Sequence, residues 1–331
     1  MAHRSILSSC AIFGIAACFE MPDELYGQSL YRVIEALQCM RDQPEVLEVL
    51  SLLIPKTGTR HFLSILDQEY PDRTNHDSGC YKHAVTHAFP NSGAVISALR
   101  RDAATLPEKC GETARRQNLA AERLWKLMIR EAQDSGVRLL TLVRDPVEYL
   151  LSYFSHRWSW GDDMMQYLAD FVNGTDYSAN MQLGFLVGKR LDIGRTPQAR
   201  QREAPEAAVC RKLHTSVVTE EDLVYVESLL DSGVLLAGTT EEMGATIHMV
   251  AAELKWSHFN ASAYSDFGPR VTDRSRTIKG NRDGDRTIKR VHVEDLPSEL
   301  VSQIRARSSL DMRLHRRLTQ KIQTGVLRAE L

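Results

Sequence analysis

Apolar and polar positions follow two rhythms along this 331-residue chain, and each rhythm predicts an element. Val46–Ile54 is rich in leucine and valine over a strand's length, which reads as a buried β-strand. In the following Arg60–Gln68, Phe62, Leu63 and Leu66 fall on one helical face. The order repeats farther on. Gly136 ends a helical segment, Val137–Val143 reads as a second buried strand, and Pro146 suits the first turn of the next helix. Within that helix the spacing of Tyr149, Tyr153 and Phe154 assigns them to the core. Strands alternating with helices predict an α/β fold whose central, mostly parallel sheet is flanked by helices on both faces. The polar stretches Gly194–Ala208 and Ser265–Arg290 read as loops within one domain. The C-terminal helix is expected to turn Arg305, Arg307, Arg313, Arg316 and Arg317 outward.

Composition adds little to this reading until the termini and the cysteines are considered. An apolar fraction of 43% is ample for a core, and a formal net charge of −2 gives the whole molecule no pull on polyanions. No nucleic-acid partner is expected. Locally, the window Arg270–Arg290 sets eight basic residues against three acidic ones, a solvated loop or a grip for an anionic chain. After His3 and Arg4, Ile6–Phe19 has the length of a signal-peptide core and is short for a membrane span. Residues 1–22 are therefore expected to be a signal peptide or short membrane anchor, 23–46 a lead-in, and 47–325 the main domain; a buried helix is the alternative for the apolar run. The sequons at Asn173 and Asn260 fit secretory passage. With Cys10 and Cys18 in the leader, Cys39, Cys80, Cys110 and Cys210 allow two disulfides in three pairings. No cysteine or histidine cluster has metal-ligand spacing, so no metal is expected.

The chemistry concentrates where each strand gives way to its helix. Pro55-Lys56-Thr57-Gly58-Thr59 joins the first strand to the first helix, a geometry that aims successive backbone N–H groups and a positive helix end at one anion. Its lysine precedes the glycine, so it is not the GxxxxGK[ST] loop of ordinary nucleotide kinases. Val143-Arg144-Asp145-Pro146 ends the second strand. Ser152 follows Arg144 by eight residues, two turns into the helix, where its hydroxyl can turn toward the anion that the Arg144 guanidinium would fork. The bland alternative is an Arg144–Asp145 ion pair with Ser152 on the helix surface.

In these residues the chain resembles the sulfotransferases that use 3′-phosphoadenosine 5′-phosphosulfate (PAPS). Their PKxGT loop holds the 5′-phosphosulfate and their RDPxxxxxS segment the 3′-phosphate, in the order found here. Asn180–Gly188, Val234–Glu241 and Ile304–Leu314 resemble the NxQxxxLxG, VGxTE and LDxxLY stretches of the Golgi carbohydrate sulfotransferases, closest to the uronyl and heparan sulfate 2-O branch. The resemblance covers roughly Leu47 to Ile322. It implies a P-loop-like three-layer fold, PAPS as co-substrate, and a location in the Golgi lumen or secretory pathway. The acceptor would be a carbohydrate hydroxyl, on an anionic polysaccharide in the nearest branch. It also implies that Lys56, Thr57, Gly58, Thr59 and Arg60 surround the phosphosulfate, while Arg144 and Ser152 hold the 3′-phosphate.

Sulfuryl transfer needs an in-line attack, a base for the acceptor proton and a cation on the leaving oxygen. Lys56 suits the last role. A histidine suits the base, since it titrates near neutrality. His76, His83 and His87 lie between the two motifs. The family's YHGHVS-like segment aligns with Tyr81–Val85 and implies His83, although Lys82 replaces the family's glycine. His87, at i+4, would share a face with His83 if the segment were helical. Glu69, at the end of the first helix, is the candidate if the base is a carboxylate. Trp158 and Trp160 are candidates for stacking on sugar rings. Two other classes fit parts of the pattern: a non-catalytic glycan-binding protein that keeps the fold, and a nucleotide phosphotransferase, which lacks its GK[ST] order and a magnesium-binding acidic motif.

Overall fold

The computed structural model describes residues 40, 48–54, 57, 62, 64–66, 68, 83–87, 125–157, 164–173, 179–189, 217–256, 275–278, 286–289 and 291–329. The leader, the six cysteines and the polar stretch 194–208 lie outside the described residues.

Four parallel strands form the centre: β1 (Val49–Leu53), β2 (His83–His87), β3 (Arg138–Val143) and β4 (Leu235–Thr239), in the spatial order β2-β1-β3-β4. The two strands expected from apolar runs are β1 and β3. Side chains alternate across the pleat into two cores. Leu50, Leu52 and Ile54 join Leu139, Val143, Leu235 and Ala237 on one face. Val49 joins Leu140, Leu142 and Leu236 on the other, with Phe62, Ile65 and Leu66 from the helical residues after β1. This is a mixed α/β arrangement around a small parallel sheet, buried on both faces as such sheets require.

Helix α1 (125–135) buries Trp125, Met128, Ile129 and Ala132, spaced at i, i+3, i+4 and i+7. It stops at Gly136, whose φ of 72° is left-handed, with Gly136 N–H donating to Gln133 O and Val137 N–H to Ala132 O. Helices α2 (Pro146–Arg157), α3 (Met164–Asn173) and α4 (Met181–Leu186) follow β3. Tyr149, Tyr153 and Phe154 of α2 are buried, as their spacing predicts. Helix α5 (Glu220–Asp231) precedes β4, and α6 (Met243–Leu254) follows it. Helices α7 (Ser298–Arg307) and α8 (Ser309–Ala329) close the described chain.

One expectation is corrected here. Part of the polar stretch 265–290 is an antiparallel pair, β5 (Ser275–Ile278) with β6 (Arg286–Lys289), rather than loop alone. Thr277 and Ile278 face Thr287 and Arg286 across it, and the Gly-Asn and Asp-Gly steps between them are turn formers. Of the C-terminal basic residues, Arg305, Arg313 and Arg316 are exposed, as expected, and Arg307 and Arg317 are half-buried. Arg313 pairs with Glu220, and Arg317 with Glu227 and Asp231, so both fasten α8 to α5, while Arg307 donates to Val172 O.

Candidate functional site

The chain leaves β1 toward β2 on one side and returns past β1 to β3 on the other, so the topological switch lies between β1 and β3. The helical residues after β1 enter one core and α2 after β3 enters the other. In open α/β sheets such a switch point, at the carboxyl ends of the strands, is where ligands bind. Thr57 follows β1 there and Arg144 follows β3.

Hydrogen bonds fix this end of the sheet. Thr57 is buried, and its hydroxyl donates to Ile54 O at 2.9 Å. Just beyond β4, the Thr240 hydroxyl is shared between Thr57 O (3.0 Å) and Val143 O (3.3 Å), and Thr240 N–H donates to Val143 O (2.9 Å). One threonine thus ties together the ends of β1, β3 and β4.

Arg144 stands where β3 ends. Asp145 turns its carboxylate to the start of α2, accepting from Val147 N–H (2.9 Å) and Glu148 N–H (3.1 Å), which is N-capping rather than an ion pair with Arg144. Arg144 Nη2 donates instead to Glu148 Oε2 at 2.9 Å, and its Nε lies 4.0 Å from Glu241 Oε1. That Nε is buried and makes no hydrogen bond among the described residues. Across 146–154, otherwise buried, Glu148 and Ser152 are the half-open positions. With Arg144 they form a stripe at i, i+4 and i+8.

The backbone of Arg144 is clamped from behind. The Gln182 side chain accepts from Arg144 N–H (2.8 Å) and donates to Arg144 O (2.7 Å), copying a strand's pairing. Gln182 is set in turn by reciprocal capping. Asp311 of α8 accepts from Gln182 N–H (3.0 Å) and Leu183 N–H (2.8 Å) at the start of α4, while Asn180 before α4 accepts from Leu310 N–H (2.8 Å) and Asp311 N–H (3.2 Å) at the start of α8. Asn180 takes a left-handed φ of 57° to do so. Burial pushes the Asp311 carboxyl up to about 7, against the two N–H bonds that favour its ionised form. The other end of α4 is fixed by Trp125, whose indole N–H donates to Leu186 O at 2.7 Å, and by Gly188 (φ 69°), where a Cβ would strike that indole.

Glu241 completes the constellation. Its Oε1 accepts from Asp145 N–H at 3.0 Å and its Oε2 meets His315 Nε2 of α8 at 3.0 Å. Burial pushes the Glu241 carboxyl up, but the bonds from His315 and Asp145 and the charge of His315 outweigh it and hold it below its ordinary value.

Of the residues singled out in the sequence, the structure places Thr57 after β1 and Arg144 after β3 at one end of the sheet, and Ser152, half-buried, two turns into α2. Lys56, Gly58, Thr59 and Arg60, with Glu69, His76, Trp158 and Trp160, lie outside the described residues. The segment with His83 and His87 is strand β2, not a helix: β-branched Val85 and Thr86 suit a strand, and it pairs along the whole of β1. Its register sets His87 beside Leu53, at the carboxyl end of β1, and His83 beside Val49, four residues or about 13 Å away. The two histidines are therefore not the neighbours a helix would make them. Sequence reasoning did not single out Glu148 or His315. The signal for Glu148 was its place midway between Arg144 and Ser152; for His315, its position one turn after Asp311. Among the described residues no group of histidine, cysteine and carboxylate side chains could hold a metal ion. No protein-family model, curated protein or solved structure matches this chain.

Proposed function

We propose that the protein is a PAPS-dependent sulfotransferase of P-loop-like fold that moves a sulfuryl group to a carbohydrate hydroxyl. The observation that supports this reading is that Thr57 after β1 and Arg144 after β3 leave the sheet at one switch point, with the Arg144 backbone clamped on both sides. In this reading the 5′-phosphosulfate sits on the amides of Thr57, Gly58 and Thr59 beside Arg60, and the 3′-phosphate on Arg144 and Ser152. The acceptor oxygen attacks sulfur in line as the bond to the bridging oxygen breaks, and Lys56 balances the charge left on that oxygen. The acceptor proton goes to a histidine. Strand register favours His87 over His83 for this role, because His87 is paired at the carboxyl end of β1. A uronate-bearing polysaccharide is the acceptor class of the nearest branch. The Golgi lumen or secretory pathway is the compartment, reached through an N-terminal signal or anchor. Asn173, exposed at the end of α3, suits a glycan there.

The test is calorimetric titration of the full chain with 3′-phosphoadenosine 5′-phosphate beside AMP. The 3′-phosphorylated nucleotide should bind preferentially, and Arg144→Ala should weaken it about 10- to 100-fold, the size of a charge-assisted contact. Equal affinity for AMP, or an Arg144→Ala chain that binds like the wild type, would overturn the assignment.

A further inference from the structure

Arg144, Glu148 and Ser152 lie along one face at i, i+4 and i+8, so Glu148 stands between the two side chains assigned to the 3′-phosphate. Along a helix axis that span is about 12 Å, and a phosphate bonded to both ends of it sits over the middle. Glu148 already holds that place, but its hold is partial. Its carboxylate accepts from Arg144 Nη2 at 2.9 Å without a second bond to complete a fork, and Arg144 Nε is left buried with no hydrogen bond among the described residues. Arg144 is pinned through its backbone and its side chain is 14% exposed, whereas the Glu148 side chain is 35% exposed. Glu241, the other carboxylate beside Arg144, is fixed at both oxygens by Asp145 N–H and His315, and at 4.0 Å from Nε it is beyond hydrogen-bond reach. Of the two carboxylates, Glu148 is the one free to leave.

We propose that Glu148 is a placeholder: before the nucleotide arrives its carboxylate occupies the Arg144 guanidinium, and the 3′-phosphate displaces it, so that Glu148 sets the affinity of the site. This role rests on the assignment of Arg144 and Ser152 to that phosphate. The exchange favours the phosphate for two reasons. A phosphate monoester carries up to two charges and three acceptor oxygens near neutral pH, so it can bond Nη2 and the orphaned Nε together where Glu148 bonds Nη2 alone. Once displaced, Glu148 has water to turn to, and in the first turn of α2 it still meets the positive end of that helix. The opposing term is competition, because each nucleotide that binds must open an ion pair already made. Removing the charge of Glu148 removes that competition. A Glu148 that merely supports the guanidinium for its ligand has the opposite sign, since its loss weakens binding.

The experiment titrates the full chain by calorimetry with 3′-phosphoadenosine 5′-phosphate and with AMP, for wild type, Glu148→Gln and Glu148→Ala. Glutamine keeps an oxygen that can accept from Arg144 but not the charge, and alanine removes the group altogether. Both variants should bind the 3′-phosphorylated nucleotide about 3- to 10-fold more tightly than the wild type, the worth of a partly exposed ion pair. AMP, which has no 3′-phosphate, should gain less than about twofold, the residue of a screened charge at a distance. If either variant binds the 3′-phosphorylated nucleotide no more tightly than the wild type, or if AMP gains as much, the role of Glu148 is overturned and the nucleotide site stands. Failure of the folded wild type to bind the nucleotide, or equal wild-type affinity for AMP, overturns both.

Discussion

Asp311 sits between two helix starts, in the first turn of α8 and against the N–H groups that open α4, yet it is buried without a cation. Burial raises its carboxyl from 3.8 to about 7. Between those values the folded chain holds a proton that the unfolded chain has released, so its stabilising contribution is full below about pH 4 and lost as pH rises through about 7. The loss amounts to roughly 4 kcal/mol across the window. Glu241 works in the opposite sense at lower pH, since its carboxyl lies below the ordinary value and its contribution fades on acidification. Urea unfolding of wild type and Asp311→Asn between pH 4.5 and 7.5 separates the two. Asp311→Asn should be less stable at pH 4.5, because its amide turns a donor on a backbone N–H, but should lack the wild-type decline. Parallel curves would mean that Asp311 is already ionised in the fold. A buried acid in an LD pair is not visible in sequence as a cap, because its two donors are 128 and 129 residues away.

Elements were more legible than their partnerships. The leucine and valine runs predicted β1 and β3, Gly136 and Pro146 predicted an end and a beginning, and the aromatic spacing in α2 predicted its buried face. The β5–β6 pair and strand β2 were not read as strands, because their residues are polar or mixed and their pairing supplies what periodicity does not. Packing of β4 on α6 shows a demand that a one-residue signal carries: a Cβ on Gly238 would lie 2.0 Å from Thr246 Cγ2 and 2.2 Å from its Oγ1. Thr246 cannot rotate away freely, since its hydroxyl accepts from Thr239 N–H and donates to Thr239 O. Gly238→Ala should therefore cost about 1–3 kcal/mol and lower the thermal midpoint by several degrees. Adding Thr246→Ala should cost less than the sum of the two, a coupling that a thermal-unfolding double-mutant cycle measures.

At the scale of the whole molecule, the register of β2 on β1 sets His87, not His83, at the end of the sheet where the proposed site lies. His87→Ala should lower turnover at least about 100-fold with nucleotide affinity nearly unchanged, while His83→Ala should keep most activity. Radiolabelled sulfate transfer from PAPS to a uronate-bearing polysaccharide checks both. A reversed order of effects would return the base to His83, and unimpaired activity in both would point to Glu69. The two anion motifs were visible in the sequence because each is a short local pattern. The clamp that steadies them was visible only as three weak resemblances, since Asn180, Gln182, Thr240, Glu241 and Asp311 meet through contacts spanning 38 to 183 residues. The reciprocal capping of α4 and α8 also bears on the order of synthesis. Thr57, Arg144 and Ser152 have left the ribosome early, but the part that holds Arg144 in register waits for Asp311 and His315. A nascent chain therefore carries Thr57 and Arg144 through some 160 further residues beyond Ser152 before α8 can lock them.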